Sequence, residues 1–144
     1  MLNERTEFHI FDRGSVTGDR YCEEVLLPHV RLFRGAIGLD FMFMDDNARR
    51  HRTLAVEELL ESEDITRMDW PAYFPDLNPI EHVWYALGRR ISARLYHPEN
   101  TQQLKQMLIE EWALLQQEML HHLVLSMRKR WEATIAVTGG RIQY

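Results

Sequence analysis

The stretch from residue 70 to residue 84, WPAYFPDLNPIEHVW, restricts the fold of this chain more than any other part of it. It contains three prolines within nine positions: Pro71, Pro75 and Pro79. Each proline fixes φ and removes a backbone N–H donor, so the first part of the stretch forms neither a regular helix nor a central strand. The sequence therefore predicts a shaped loop at this place.

A helix is predicted directly after the loop. Asn78 offers its side chain as an N-cap, and Pro79 takes the first helical position, where a missing N–H costs nothing. Glu81 then falls in the first turn. Apolar residues recur at spacings of three and four, which predicts a helix that packs one face on a core. These residues are Ile80, Val83, Trp84, Leu87, Ile91 and Leu95.

A second unusual stretch lies upstream, where two acids close an apolar run. Residues 39–44 are apolar except for Asp40, a pattern typical of a strand buried in a sheet that helices cover. Asp45 and Asp46 follow at its carboxyl end. A short helix marked by Leu54, Ala55, Leu59 and Leu60, and then a strand over 65–68, favour a parallel pair with a helical crossover.

The remaining elements are predicted from caps, turns and apolar spacing. They are a strand over 8–11 that enters a turn at Gly14, a helix from Thr17 with an irregularity at Pro28, a helix capped by Asn100 and Gln103, and a last helix over 118–136 ended by Gly139-Gly140.

Composition excludes several classes of protein. The 144 residues suit one domain, and 45% hydrophobic content is enough to fill a core. A net charge of −5 gives no general attraction to nucleic acid or to an anionic membrane, so any DNA contact has to be local. No apolar run approaches the roughly 18 residues that span a bilayer, and the N-terminus lacks a signal-peptide core. We therefore expect an intracellular chain without a membrane partner.

The acids of the two unusual stretches suggest a metal site. Mg²⁺ and Mn²⁺ prefer oxygen ligands, and sites in open α/β sheets lie outside the carboxyl ends of the strands. We predict that the Asp45-Asp46 end and Glu81 meet in space. Two other interpretations stay open at this point. Glu81 can be the reciprocal partner of a capping box with the Asn78 N–H, and the two aspartates can simply form a strand-ending turn.

The same two stretches resemble a known family. FMDDNARRH followed by WPAYFPDLNPIEHVWYALGRR is similar to the catalytic region of the Tc/mariner superfamily of DDE transposases, which carries a DNxxxH motif and then a PDLNPIE motif. Thirty-four residues lie between Asp46 and Glu81, the separation typical of the Tc branch between its second and third catalytic acids. Further matches are Arg89-Arg90, Glu111-Trp112, Ser126-Met127 and Gly139-Gly140.

The resemblance implies an α/β, ribonuclease H-like fold of the DDE integrase and transposase type, truncated at its N-terminus and with a helical C-terminal part. A core over about 7–95 and C-terminal helices over 100–136 are expected. The resemblance selects Asp46 over Asp45, and it implies that Asp46 and Glu81 are catalytic metal ligands. Two Mg²⁺ or Mn²⁺ ions would activate water, and then a DNA 3′-hydroxyl, for attack on phosphate.

The chain also departs from the family. The family's first catalytic aspartate lies on a strand far upstream, and too few residues precede Phe8 to supply it; Asp12 is the substitute to test. A helix-turn-helix region is also missing. The expected function is therefore that of a fragment of a Tc-type transposase catalytic domain, whose ancestral reaction is metal-dependent DNA cleavage and strand transfer. The alternative is a catalytically inactive remnant that acts as a protein-interaction module, so whether this chain is an enzyme stays open.

Several residues near the acids are candidates for DNA contact. They are Asn47, Arg49, Arg50, His51 and Arg52, and the basic ones could contact phosphate oxygens. His51 matches the histidine of DNxxxH, for which local capping or pairing is the other interpretation. The arginines of the later helix, Arg89, Arg90 and Arg94, are interpreted as a solvated face. The implied partners are DNA, as transposon ends and target, and further copies of the chain, with a nuclear location expected and a cytoplasmic one as the alternative.

Overall fold

The computed structural model describes residues 5–46, 48–68 and 77–137. The proline-rich loop up to Asp76, Asn47 and the Gly139-Gly140 pair lie outside the described residues. The chain divides into two compact units, one formed by His9–Tyr73 and the other by Leu2–Phe8 together with Phe74–Tyr144. The division into a core over 7–95 and C-terminal helices stays a prediction. No described helix is both long enough and apolar enough to cross a membrane.

A long helical segment opens the first unit. The side chain of Thr17 accepts a hydrogen bond from the Arg20 N–H at 3.2 Å, which confirms the predicted N-cap. Helix α1 covers Gly18–Tyr21, a π-helical stretch covers Cys22–Val30, and helix α2 covers Arg31–Ile37. The irregularity predicted at Pro28 is this π-helical stretch, because a residue without an N–H cannot continue the ordinary α-helical bonds and the wider turn leaves room for its ring.

Two short parallel strands lie in the same unit. Strand β1, Met42–Phe43, pairs with strand β2, Thr66–Arg67, so that Met42 lies opposite Thr66 and Phe43 opposite Arg67. Helix α3, Leu54–Ser62, connects them, which confirms the parallel pair with a helical crossover. Both strands are shorter than predicted, and Met42 is 53% exposed, so the prediction of a strand buried on both faces is wrong.

The segment over 8–11 forms no regular element and takes no part in the described sheet, so the strand predicted there is wrong. No strand forms because Phe8 packs with the helices of the second unit instead. Its ring lies edge-on to Trp84, with the ring centroids 5.7 Å apart. The turn that follows does form, and Gly14 uses the conformational freedom of glycine there, with a positive φ of 70°.

The core of the first unit joins the long helical segment to α3. Its buried residues are Tyr21, Cys22, Leu26, Val30, Val56, Leu60 and Ile65. Helix α3 buries Val56 and Leu60, whereas Leu54 is exposed, so its predicted apolar face is partly wrong. Gly18 allows α1 to approach α3 closely, because a Cβ at this position would lie 2.0 Å from the Thr53 Oγ1.

Four helices form most of the second unit. Helix α4 covers Pro79–Ser92, α5 covers Thr101–Leu114, α6 covers Gln117–Leu125 and α7 covers Met127–Val137. Helices α6 and α7 were predicted as one. They separate at Ser126 because the Leu123 carbonyl, which a continuous helix would use, accepts hydrogen bonds from the Ser126 hydroxyl and the Arg130 guanidinium.

The predicted caps of α4 and α5 are present. The Asn78 side chain accepts from the Ile80 N–H at 3.3 Å, and the Asn100 side chain accepts from the Gln103 N–H at 2.9 Å. The Gln103 side chain, however, accepts from the Glu99 N–H at 2.7 Å, one residue before the cap. Backbone donors at both helix starts are therefore satisfied by local side chains.

Val83 and Leu87 of α4 and Leu115 after α5 form a buried hydrophobic cluster in this unit. Trp84 is half-exposed and Leu95 is 92% exposed, so the predicted apolar face of α4 is shorter than its sequence pattern. The cause at Leu95 is that α4 ends at Ser92, after which helical spacing no longer places a residue on the same face.

The N-terminal segment also belongs to the second unit. The Arg5 guanidinium donates to the backbone carbonyls of Leu115 and Ala113, at 2.7 and 3.0 Å, at the end of α5. The Trp112 indole N–H donates to the Thr6 carbonyl at 3.0 Å. These bonds hold residues 5–8 against the helices and satisfy carbonyls that the end of α5 leaves without helical partners.

Candidate active site

The two adjacent aspartates after β1 have different surroundings. The side chain of Asp45 is only 2% exposed, and its Oδ2 lies 2.9 Å from the Nε of Arg67 on the neighbouring strand. The N–H of Arg67 does not point along this line, so the contact is a charge pair rather than a linear hydrogen bond. Arg52 approaches the other oxygen at 4.0 Å. Asp45 is therefore a buried acid that joins the two strands.

Asp46, by contrast, has a side chain that is 43% exposed. Its Oδ1 accepts a hydrogen bond from the Ala48 N–H at 3.0 Å and lies 2.6 Å from the His51 Nδ1. An ionised carboxylate can only accept, so the Nδ1 carries the proton of this bond. The bond from Ala48 is an Asx-turn, which means that the turn predicted as an alternative forms around the same exposed carboxylate.

The surroundings of Asp46 favour its charged form. Burial by itself raises the pKa of this carboxyl, but the Ala48 N–H and His51 outweigh that cost, so the pKa lies below its ordinary value of 3.8. Asp46 is consequently ionised at neutral pH. A charged, partly exposed carboxylate is the kind of oxygen ligand that Mg²⁺ and Mn²⁺ prefer.

His51 is bound on both its ring and its backbone. Its ring stacks on Tyr21, with centroids 4.0 Å apart and an angle of 25° between the planes. Its carbonyl accepts from the Arg67 guanidinium at 2.9 Å. Burial, followed by the charges of Asp45 and Asp46, raises the pKa of Tyr21, which stays a neutral phenol. The geometry supports the local-pairing interpretation of His51.

Arg49 and Arg50 begin the 3₁₀ turn Arg49–His51 and are exposed. Neither side chain forms a hydrogen bond or an ion pair with any residue that the structure describes. Arg52 lies near Asp45 instead. Of the predicted phosphate contacts, Arg49 and Arg50 are thus the ones whose charges face solvent.

Glu81 lies in the first turn of α4 in the second unit, and it is exposed. Its backbone N–H bonds to the Asn78 carbonyl at 3.2 Å. Among the hydrogen bonds of the described residues, none runs from the Asn78 N–H to the Glu81 carboxylate, so the reciprocal half of the capping box is not formed there. The meeting of Glu81 with Asp46 stays a prediction.

Arg89 and Arg90 follow Glu81 on α4, and Arg94 lies just beyond the end of that helix. The interpretation of a solvated face is wrong for Arg90 and Arg94. Arg90 and Arg94 each bind Glu111 of α5 at 2.8 Å. The hydrogen bonds from Arg90 and then Arg94 lower the pKa of Glu111. Arg89 instead lies over the Tyr85 ring, 5.8 Å from its centroid. Salt bridges to Glu111 therefore connect the C-terminal end of α4, and the residues just after it, to α5.

Asp12, the substitute considered for a first acid, lies in the exposed turn before Thr17, where its carbonyl accepts from Arg20. Over 5–46, 48–68 and 77–137, no three His, Cys, Asp or Glu side chains form a cluster that could hold a metal ion.

Two residues of this site were not recognised from the sequence. The contact of Tyr21 with His51 is not visible in any local pattern of the sequence. Arg67 carried a usable signal. In a parallel pair with Phe43 opposite Arg67, a cation in the second strand lies beside the acids that end the first, so charge complementarity could have identified it.

Known proteins are similar to this chain in sequence. The family model described as DDE superfamily endonuclease matches residues 20–105, which is more than half of the chain. The Tc1 transposase of Caenorhabditis elegans is 32% identical over 108 residues, which cover 75% of this chain and 39% of that protein. The chain thus spans about two fifths of the length of this relative.

Solved structures are similar in fold. The Mos1 transposase catalytic domain with Raltegravir and Mg superimposes with a TM-score of 0.74 at 23% identity, covering 90% of this chain and 67% of that one. A Mos1 transposase paired-end complex with the left transposon end gives a TM-score of 0.72 at 24% identity, covering 90% of this chain and 38% of that one. At these identities the similarity concerns the fold alone, and it confirms the predicted ribonuclease H-like class.

Proposed function

Because the chain belongs to the DDE superfamily of endonucleases, in its Tc/mariner branch, we propose that it supplies two metal-binding carboxylates to a site that cuts DNA. The ligands are Asp46 and Glu81, and the cation is Mg²⁺ or Mn²⁺. When bound, the cations stabilise the charge that develops on the attacking and leaving oxygens of a phosphate. The protein's part is to hold charged carboxylates in place for them.

The contrast between Asp45 and Asp46 is the observation that carries this proposal. Asp45 is buried against Arg67 and its charge is already compensated. Asp46 is exposed, ionised and hydrogen-bonded through Oδ1 by Ala48 and His51, while Oδ2 lies outside these two bonds. Metal-binding carboxylates are commonly oriented in this way by neighbouring donors. Asp46 therefore fits a hard divalent cation, and the exposed carboxylate of Glu81 fits one as well.

The proposed substrate is DNA. One of the Mos1 structures similar in fold contains a transposon end, and we extend that kind of partner to this chain. The solvent-facing Arg49 and Arg50 follow Asp46 closely enough in sequence to bind phosphate oxygens beside it. Action on genomic DNA implies a nuclear location, and further copies of the chain are partners in this proposal.

A second function, that of a protein-interaction module without catalysis, is favoured by exposed apolar side chains. In the second unit, Tyr85, Leu95 and Tyr96 are exposed by 69%, 92% and 81%. Contiguous apolar patches mark surfaces that bind other proteins, and Leu95 and Tyr96 are neighbours in the chain. The two functions differ in whether the carboxylates bind metal, so one experiment separates them.

That experiment measures the thermal midpoint of the 144-residue chain with and without millimolar Mn²⁺. A cation that binds only the folded state raises the midpoint. We expect a rise in the parent and its loss in Asp46→Asn and in Glu81→Gln. Two matched controls should keep the rise: Asp40→Asn, an exposed aspartate just before β1, and Glu118→Gln, an exposed glutamate in the first turn of α6. An equal rise in all five proteins, or none, would favour the interaction module.

The cleavage reaction needs a separate test. The chain would be extended at its N-terminus with a segment that supplies a further strand and an aspartate, and nicking of plasmid DNA would be followed with Mn²⁺. We expect nicking that Glu81→Gln removes and Glu118→Gln leaves intact. Nicking that persists in Glu81→Gln would exclude Glu81 as a ligand.

A further inference from the structure

The orientation of the Asp46 carboxylate depends on one side chain. Asp46 follows a strand of only two residues, and its side chain is 43% exposed, so packing restrains it on one side at most. The 2.6 Å contact from the His51 Nδ1 to Oδ1 supplies a further restraint, together with the longer bond from the Ala48 N–H. A ligand is useful to a cation only if it is held close to one orientation.

His51 can hold Asp46 because His51 is itself fixed from two sides. Its ring lies on the face of Tyr21, a buried residue of α1 that belongs to the core. Its carbonyl accepts from Arg67, whose side chain is 10% exposed and also contacts Asp45 and Glu57. The histidine side chain is consequently 16% exposed, although it follows two arginines that face solvent.

We propose that His51 is a positioning residue that orients Asp46 for a divalent cation, and that the Tyr21 ring is the surface that holds His51 in place. The proposal rests on the proposed function, because Asp46 is a metal ligand only under that function. It gives the His51 ring a different role from phosphate contact, which falls to Arg49 and Arg50. Tyr21 acts through His51 and touches neither metal nor substrate.

The test compares Mn²⁺ affinity of the full 144-residue chain, measured without DNA by titration calorimetry. His51→Phe keeps a ring to stack on Tyr21 but removes the donor, and we expect its affinity to fall about 10- to 100-fold, as for other residues that orient metal ligands. His51→Asn places an amide N–H near the position of Nδ1 and should recover part of the loss. Tyr21→Leu should lower the affinity, whereas Tyr21→Phe, which keeps the ring, should match the parent.

A second readout needs no metal. In the parent, nitrogen-15 NMR of the histidine rings should show a proton on the His51 Nδ1 that is protected from exchange by the bond to Asp46. This proton should persist in Tyr21→Phe and be lost in Asp46→Asn and in Tyr21→Leu. Thermal midpoints without metal show whether each variant is folded. If Tyr21→Leu does not fold, the two His51 variants decide the matter alone.

The outcomes separate this inference from the function on which it rests. If the parent binds Mn²⁺ and His51→Phe binds it equally well, the positioning role is wrong and the metal site stands. If His51→Phe keeps its Mn²⁺ affinity but loses DNA affinity, the ring contacts phosphate instead, which also overturns the proposal. If the parent itself binds no Mn²⁺, the proposed function fails, and the positioning role fails with it.

Discussion

Each of the two units combines a buried carboxylate with an exposed one, but they hold the exposed one differently. In the first unit, Asp45 is buried and the exposed Asp46 is bound by two donors. In the second unit, Glu111 is buried between arginines, and the exposed Glu81 receives no side-chain hydrogen bond from the described residues. One unit thus sets the direction of its exposed acid, whereas no described residue of the other unit fixes the direction of Glu81.

This difference has an energetic meaning. A carboxylate that is already oriented loses little conformational entropy when a cation binds, whereas a free glutamate loses more rotamer freedom. The buried acids differ as well, because the side chain of Arg90 beside Glu111 is 42% exposed while that of Arg67 beside Asp45 is 10% exposed. If the buried carboxylate is removed, water can therefore hydrate the remaining arginine more easily in the second unit than in the first.

The largest effect is expected at the buried pair of the first unit. Asp45→Asn leaves the Arg67 charge buried with less compensation, and we expect the free energy of unfolding to fall by about 3 kcal/mol. Urea denaturation measures the change. Asp40→Asn, an exposed aspartate nearby, should stay within about 0.5 kcal/mol of the parent. A cost for Asp45→Asn as small as that of the control would mean that the pair contributes specificity rather than stability.

A smaller loss is expected at the corresponding acid of the second unit. Glu111→Gln weakens the charged hydrogen bonds from Arg90 and Arg94, and we expect a loss of about 1 to 2 kcal/mol in the same urea assay. Both arginines remain hydrated, which limits the penalty. Glu118→Gln on α6 is the control. If Glu111→Gln cost more than Asp45→Asn, the ranking of the two units by burial would be reversed.

Two variants at the start of α4 test whether the Glu81 carboxylate takes part in the helix cap. Asn78→Ala removes the side-chain cap of the helix and should cost about 1 kcal/mol. Glu81→Gln should change stability by less than about 0.5 kcal/mol, because its carboxylate is not part of the cap. Both values can be read from thermal midpoints without metal. Equal costs for the two variants would support the reciprocal capping box instead.

The smallest expected effect is the loss of folding stability at acidic pH. The pKa of Glu111 is lower in the folded protein than its ordinary value of 4.5, so the folded state binds fewer protons between these two values. The resulting stabilisation is complete above the ordinary pKa and is lost as the pH falls through the lower, folded-state pKa. We expect the midpoint of urea unfolding to decline with acidification below pH 4.5, and to decline less steeply in Glu111→Gln. Parallel curves would contradict the shift.

The start of each capped helix was determined by sequence. Thr17, Asn78 and Asn100 each accept a bond from an N–H within the next three residues, as predicted. The parallel pair with its crossover followed from the order of apolar patterns, and the ribonuclease H-like class from the motifs. These features could be predicted because a cap bonds within a few positions of itself, and because apolar order along the chain restricts topology.

The tertiary structure alone decided which groups meet across long separations. Asp45 and Asp46 are adjacent in sequence, yet Asp45 is buried beside Arg67 and Asp46 is 43% exposed. Tyr21 and His51 stack because the first helix packs on α3, and the helix after residue 117 breaks because two donors converge on the Leu123 carbonyl. Such contacts depend on packing of whole elements rather than on local spacing, so the order of residues does not specify them by itself.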